Sequence, residues 1–136
     1  MITVDYDNRH GWLGAKTNYS NRPYSSIDVS YSGSAAVNLW ALVDTGADYL
    51  CLDDNVATSI GINLATSTNF VQVRTPLGVT AKLPLWRVRM TMEGRSADVD
   101  ALFDSSFAKT PLVGRVALLD TIKFGIDLTG WLYADP

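Results

Sequence analysis

The sequence is poor in cysteine and histidine. Both residues often bind metal ions, and cysteine also forms disulfide bonds. The chain contains one cysteine, Cys51, and one histidine, His10, among 136 residues. A single cysteine excludes an internal disulfide framework and any multi-cysteine zinc site. A single histidine leaves a Ser-His-Asp or Cys-His nucleophile system with one possible base, and no nucleophile-elbow motif accompanies it. We therefore expect no metal site built from these residues.

Charge is also scarce, and long apolar runs are missing. Charged residues make up 18% of the chain and the formal net charge is -3, with no cluster of Lys or Arg. Such a surface does not suit a phosphate backbone, so we expect no nucleic-acid partner. No segment approaches the ~18 apolar residues of a membrane span, and the opening residues MITVDYDNRHGWLG do not resemble a signal peptide. The sequence predicts no membrane association and a cytoplasmic location.

Alternation of apolar and polar residues runs through most of the chain and predicts a mostly β protein. A length of 136 residues suits one domain, which we place at residues 23–136, after an N-terminal segment (residues 1–22) of unknown role. Three hairpins are expected: SIDVSYS with AAVNLWALVD, NFVQVR with VTAKLPLWRVRMTM, and KFGIDL with WLYAD. Another strand, RSADVDALF, follows a turn at Glu93 and Gly94 and carries one apolar face of Ala97, Val99, Ala101 and Phe103.

One or two short helices interrupt this pattern. Asp53 is a suitable N-cap and Gly61 a suitable C-terminal stop for a helix of one or two turns. Nearer the C-terminus, apolar residues recur at helical spacing at Val116, Leu119 and Ile122.

An acidic residue stands at the apolar end of one predicted strand, in the stretch ALVDTGADYLCL (residues 41–52). Taken alone, Asp44-Thr45-Gly46 is an ordinary strand-ending turn, because Asp and Gly are common turn residues. A carboxylate beside an apolar run is nevertheless costly unless it is paired, hydrogen-bonded or neutralised. The placement of Asp44 therefore needs a chemical reason.

The wider window supplies one by resemblance. Three apolar residues precede Asp44, and Ala47 and Asp48 follow Gly46. This window resembles the active-site motif of aspartic proteases, and its Asp-Thr-Gly-Ala-Asp form is similar to that of the retropepsins. A later stretch, PLVGRVALLD (residues 111–120), resembles the apolar-apolar-Gly-Arg segment that retropepsins carry near the C-terminus. The resemblance covers about residues 23–133.

The resemblance implies a fold and an assembly. The fold would be a retropepsin-like acid protease half-barrel. Two identical chains would form a two-fold homodimer that acts on a peptide or protein substrate, with no metal and no organic cofactor. Each subunit would contribute one Asp44, with Thr45 and Gly46, to the catalytic loop. Hydrolysis needs a base that activates water and an acid that protonates the amide, and two carboxylates that share one proton serve as both. The shared proton also removes one of the two charges.

Further roles are implied residue by residue. Substrate would be bound in the loop by Gly46, Ala47 and Asp48, and at the tip of a flap hairpin by Thr75, Pro76, Leu77 and Gly78. Gly114 and Arg115 would support the loop from the second motif.

Two questions stay open at this point. Asp48 either bonds the substrate backbone while pairing with Arg115, or is an ordinary surface acid. The chain itself is an endopeptidase, a noncatalytic dimerisation or peptide-binding module of the same fold, or a self-processing domain of a larger polypeptide. Asp44 favours the endopeptidase; the flap tip with its single glycine, and Val116 where relatives carry Asp or Asn, favour the noncatalytic module weakly.

Overall fold

The structure is a computed structural model that describes residues 2–5, 24–74, 80–115, 117, 123–126 and 130–134. The strands within these ranges are β1 (Ile2–Asp5), β2 (Tyr24–Ser30), β3 (Val37–Val43), β4 (Leu50–Leu52), β5 (Phe70–Arg74), β6 (Thr80–Met92), β7 (Arg95–Phe103), β8 (Leu112–Val113), β9 (Lys123–Ile126) and β10 (Gly130–Ala134). One α-helix, α1 (Asp54–Ser59), and two 3-10 turns, Leu64–Thr66 and Ser105–Phe107, complete them.

Seven of these strands form one sheet, in the order β2-β3-β8-β4-β7-β6-β5. Strand β6 also pairs with β2, so six strands close into a ring and β5 continues outward from β6. Within this sheet the pairs β3–β8 and β4–β7 are parallel, and the others are antiparallel. The expectation of a mostly β protein is confirmed, whereas the retropepsin half-barrel and the homodimer stay predictions.

The first expected hairpin is present. Strands β2 and β3 pair in antiparallel register from Tyr24 with Leu42 to Val29 with Val37. The connection contains Ser32 and Gly33, whose φ angles of 49° and 77° lie in the left-handed region that glycine reaches at low cost. Along β2 the residues alternate between buried and exposed positions, as a strand with one face on the core requires.

The long strands β6 and β7 form a second wall of the core. They pair from Leu85 with Leu102 to Met92 with Arg95, and the turn lies at Glu93 and Gly94 as the sequence predicts. Both turn residues have positive φ, which is typical of a tight hairpin turn whose twist matches the strands. The expected inner face of β7 is confirmed. Val99, Ala101 and Phe103 are buried, and Ala97 packs against the core.

The predicted short helix is also confirmed. Asp53 occupies the N-cap in extended conformation, although its side chain makes no capping hydrogen bond. Gly61 follows the helix with φ 88°, the left-handed conformation that commonly ends helices. Val56 and Ile60 bury this segment against the sheet. No helix in the described ranges is long and apolar enough to cross a bilayer.

A separate three-stranded sheet joins the two ends of the chain. Its order is β1-β10-β9, with both pairs antiparallel. The terminal hairpin of β9 and β10 is therefore confirmed, and β1 is a strand that the sequence did not predict. The second predicted helix, with Val116, Leu119 and Ile122, lies outside the described residues.

Candidate active site

Asp44 is held at the end of β3 by a neighbouring parallel strand. The N–H of Leu42 donates to the carbonyl of Pro111 at 2.9 Å, and the N–H of Asp44 donates to the carbonyl of Val113 at 3.0 Å. Val43 and Val113 pair in this register and are both buried. Because β3 is anchored by buried apolar residues up to Val43, the position of Asp44 at its end is well defined, and the side chain of Asp44 is half-buried.

A tight turn then orients the carboxylate. The N–H of Gly46 donates to Oδ1 of Asp44 at 2.9 Å, and the N–H of Ala47 donates to the carbonyl of Asp44 at 3.2 Å. The first bond is the Asx turn that Asp forms two residues ahead of itself. It leaves the other carboxylate oxygen of Asp44 without a partner in the turn. Thr45 and Gly46 are exposed beside it.

The residues that follow β8 hold this loop in place through backbone hydrogen bonds. The N–H of Gly114 donates to the carbonyl of Tyr49 at 3.1 Å, and the N–H of Arg115 donates to the carbonyl of Ala47 at 2.9 Å. A Cβ at position 114 would lie 2.7 Å from the carbonyl oxygen of Ala47 and closer still to that of Tyr49. Only glycine lets the two backbones approach this closely. The ion pair expected between Asp48 and Arg115 stays a prediction.

A cavity of about 480 Å³ opens next to the loop. Loop residues on its wall include Asp44, Gly46, Ala47 and Asp48, and strand β5 contributes all its residues from Val71 to Arg74. Its apolar floor is completed by Cys51, Leu102, Phe107 and Leu112. The volume lies within the roughly 300–1,000 Å³ typical of ligand sites.

The floor residues were not singled out in the sequence as site residues. Leu102 comes beside Cys51 because β4 and β7 pair in parallel, and Leu112 pairs with Cys51 from the other side. These contacts join parts of the chain that are distant in sequence. Signals existed for Leu112, which is the first apolar residue of the apolar-apolar-Gly-Arg segment, and for Cys51, which continues the alternation Tyr49, Cys51 away from the Asp44 turn.

The environment of the single thiol reflects the acidity of the site. Cys51 is buried, and its Sγ lies 3.6 Å from the carbonyl of Tyr49. Burial, and to a smaller extent the carboxylates of Asp44 and Asp48, together raise the pKa of the thiol to about 12. A thiol with this pKa stays protonated at neutral pH, so Cys51 is not an activated nucleophile here.

The predicted flap residues Thr75, Pro76, Leu77 and Gly78 lie outside the described residues. The hairpin that carries them is described on both sides, up to the pair Arg74 with Thr80. Among the described strands β5 pairs with β6 alone, and no other described strand lies along its outer edge. The sequence-predicted loop residues and the hairpin therefore border the same cavity.

In the described part of the chain, no group of three or more His, Cys, Asp and Glu side chains could hold a metal ion. Neither a scan of protein-family models nor a search of curated proteins finds a match to this chain.

Proposed function

We propose that the chain is one subunit of a retropepsin-like aspartic endopeptidase that works as a homodimer. The observation that carries the proposal is the Asp44 carboxylate, fixed by the N–H of Gly46 at the border of a 480 Å³ cavity beside the open edge of β5. This arrangement combines a positioned carboxylate with a place for an extended peptide. Peptides commonly bind by adding a strand to an open sheet edge.

The chemistry requires a second carboxylate. Activating a water and protonating the leaving amide need a base and an acid at the same scissile bond. One chain supplies one Asp44, so the second comes from the same residue of another copy across a two-fold axis. A water held between the two carboxylates gives a proton to the ionised one as its oxygen attacks the peptide carbonyl. The protonated carboxyl then gives its proton to the amide nitrogen as the C–N bond breaks.

The rest of the site is assigned to substrate binding. A peptide along β5 would lie between this strand and the loop of Gly46, Ala47 and Asp48, which all border the cavity. Backbone groups of the open edge give affinity for any sequence, while the apolar floor around Leu102 and Leu112 favours particular side chains. Closure of the flap tip over the peptide would exclude bulk solvent from the site while the attacking water stays bound.

The same cavity and edge also suit a second candidate, a noncatalytic peptide-binding module. Strand addition and an apolar pocket are sufficient for binding, and neither needs the carboxylate of Asp44. The two functions differ in whether bound peptides are cut.

The deciding experiment compares the wild type with Asp44→Asn. The amide oxygen of asparagine can still accept the Gly46 N–H, so we expect the turn, the fold and the dimer to persist. Cleavage of a peptide library, followed by mass spectrometry, should fall by roughly a thousandfold or more, because the general base is removed. Asp53→Asn is the matched control, since Asp53 makes no capping bond and lies outside the cavity.

Equal cleavage by the wild type and Asp44→Asn would refute the dyad mechanism. Peptide binding by a wild-type dimer without any cleavage would identify the noncatalytic module instead.

A further inference from the structure

A second, smaller cavity lies under the β5–β6 hairpin. Its volume is about 270 Å³. The hairpin forms its roof through Val73, Ala81 and Leu83, and Phe107 of the 3-10 turn forms the opposite side. We call this cavity the side pocket.

The register of the hairpin explains why the roof is apolar. Val71 pairs with Leu83 and Val73 pairs with Ala81, so these four residues share one face and all are partly buried. The residues between them, such as Gln72 and Lys82, are exposed on the other face. An apolar inner face this close to the surface is stabilised by an apolar partner, and the side pocket leaves room for one.

The side pocket continues from the cavity beside Asp44. Val73, Arg74 and Phe107 border both spaces. A group that enters the larger cavity can therefore extend past Val73 and Phe107 beneath β6.

The polar residues that border the side pocket are Arg74, Asp104 and Ser106, and none of them is buried. The hydroxyl of Ser106 already donates to the carboxylate of Asp104, and the backbone N–H of Asp104 donates to the carbonyl of Leu52 at 3.0 Å. A charged occupant would lose its hydration between Ala81, Leu83 and Phe107, which is costly without a partner. The pocket thus selects for apolar groups.

We propose that the side pocket binds a large aliphatic side chain, of the leucine type, from the peptide that lies along β5. This inference rests on the proposed function, and it adds a substrate preference to it. At about 270 Å³ the side pocket is smaller than the roughly 300–1,000 Å³ of sites that take whole ligands, and it has room for a large side chain. In an extended peptide beside β5, alternate side chains point to the inner face of the hairpin, where Val73 marks the entrance.

Binding can be measured without relying on catalysis. The full-length Asp44→Asn variant is titrated with N-acetyl-leucinamide and, separately, with N-acetyl-asparaginamide, whose side chain has nearly the same shape. Methyl NMR signals report on Ala81 and Leu83 in the side pocket and on Val71 in the larger cavity. We expect saturable shifts at Ala81 and Leu83 with the leucine probe, and roughly tenfold or more weaker binding of the asparagine probe.

Two phenylalanine substitutions test the site. Ala81→Phe fills the side pocket and should abolish the shifts at Leu83. Lys82→Phe places the same ring on the exposed face of β6, outside both cavities, and should leave them unchanged. If Ala81→Phe fails to fold, Leu83→Ala enlarges the pocket instead and should shift the preference toward a phenylalanine probe.

Library cleavage by the protein with Asp44 intact adds a second reading. Ala81→Phe should lower kcat/KM roughly tenfold for substrates with leucine at one fixed position, relative to those with alanine there, and Lys82→Phe should not. Absence of probe-dependent shifts at Ala81 and Leu83, or an unchanged leucine preference in Ala81→Phe, overturns the inference. A wild type that cleaves nothing yet shows the methyl shifts contradicts the proposed function alone, and the pocket assignment stands.

Discussion

Gly114 occupies a position beside the Asp44 loop where no side chain fits. Its backbone passes under the loop of residues 47–49, and an added Cβ would overlap two carbonyl oxygens. The neighbours are backbone atoms held by hydrogen bonds, so they cannot turn aside as a flexible side chain would.

We expect Gly114→Ala to lower the free energy of unfolding by about 1–3 kcal/mol, the usual cost of overpacking. Gly46→Ala is the matched control, because its Cβ would meet one atom, Asp44 Oδ1, at 3.2 Å. Denaturant unfolding of the two variants gives the comparison. Equal stability of the Gly114→Ala and Gly46→Ala proteins would show that the loop can move away.

Cys51 makes the stability of the protein sensitive to alkaline pH. Its pKa rises from 9.0 to about 12, first through burial and then through Asp44 and Asp48. Between these values the unfolded chain loses the thiol proton while the folded chain keeps it, so stability falls as pH rises. Below about pH 9 this contribution is constant.

We therefore expect the free energy of unfolding to decline between pH 9 and 12 by up to about 1.4 kcal/mol per pH unit more in the wild type than in Cys51→Ala. Subtracting the variant removes the contribution of tyrosines and lysines that titrate in the same range. Parallel pH profiles for the two proteins would mean that the thiol is not shielded.

Strand β5 and the part of β6 that pairs with it, residues 80–84, contain no buried residue. Phe70 at the start of β5 is 54% exposed. Strand β2, in contrast, is paired on both sides and contributes buried residues such as Ile27 and Val29 to the core. Elements with few buried contacts open at the least cost.

We expect backbone amides of β5 and the adjoining part of β6 to exchange hydrogen faster than those of β2. A statine-type inhibitor, whose hydroxyl mimics the tetrahedral intermediate, should then slow exchange across residues 71–84, because the bound peptide mimic pairs with the open edge. Hydrogen exchange with and without inhibitor gives the result, and β2 serves as the internal control. If the exchange rates in residues 71–84 are the same with and without bound inhibitor, this hairpin is an ordinary sheet edge and the flap assignment is wrong.

At the scale of the whole molecule, the terminal sheet limits how two chains could meet. Strand β10 is paired on both sides, whereas each of β1 and β9 pairs with β10 alone among the described strands. A second copy that adds to this sheet must therefore use the edge of β1 or of β9. The proposed dimer would use these edges, and KFGI of β9 is better placed for this than WLYA of β10.

The proposed homodimer predicts how activity depends on concentration and on mixing. Specific activity should fall on dilution through the dissociation constant, because each proposed active site would need two chains. At constant total protein, an equal and equilibrated mixture of wild type and Asp44→Asn should retain about a quarter of the wild-type activity, since only pairs of wild-type chains are complete. A remaining activity of one half, with no dilution effect, would show that one chain suffices.

Local signals in the sequence predicted several elements correctly. The turns at Gly33 and at Glu93 and Gly94, and the helix end at Gly61, depend on residues that favour left-handed backbone or tight turns. Alternation predicted the inner faces of β2 and β7 in the same way. These features need only neighbours along the chain, which is why pattern and residue type were sufficient.

The environment of Asp44 depends on contacts between distant parts of the chain. Asp44-Thr45-Gly46 predicts a turn, and the Gly46 N–H bond to the carboxylate is a property of that turn. The cavity beside it exists because β3 and β4 both pair with β8, and because β4 also pairs with β7, which brings Leu102 and Leu112 to Cys51.

The pairing of β1 with β10 is also a contact between distant parts of the chain, since it joins residues near its opposite ends. The alternation of apolar and polar residues indicates which face of a strand is apolar, but it does not indicate which distant strand pairs with it. Closing such long loops lowers the entropy of the chain, and this cost is offset only when many contacts of the folded state form together. Local sequence therefore specified most of the strands, the turns and the acidic loop, whereas the folded chain established what surrounds that loop.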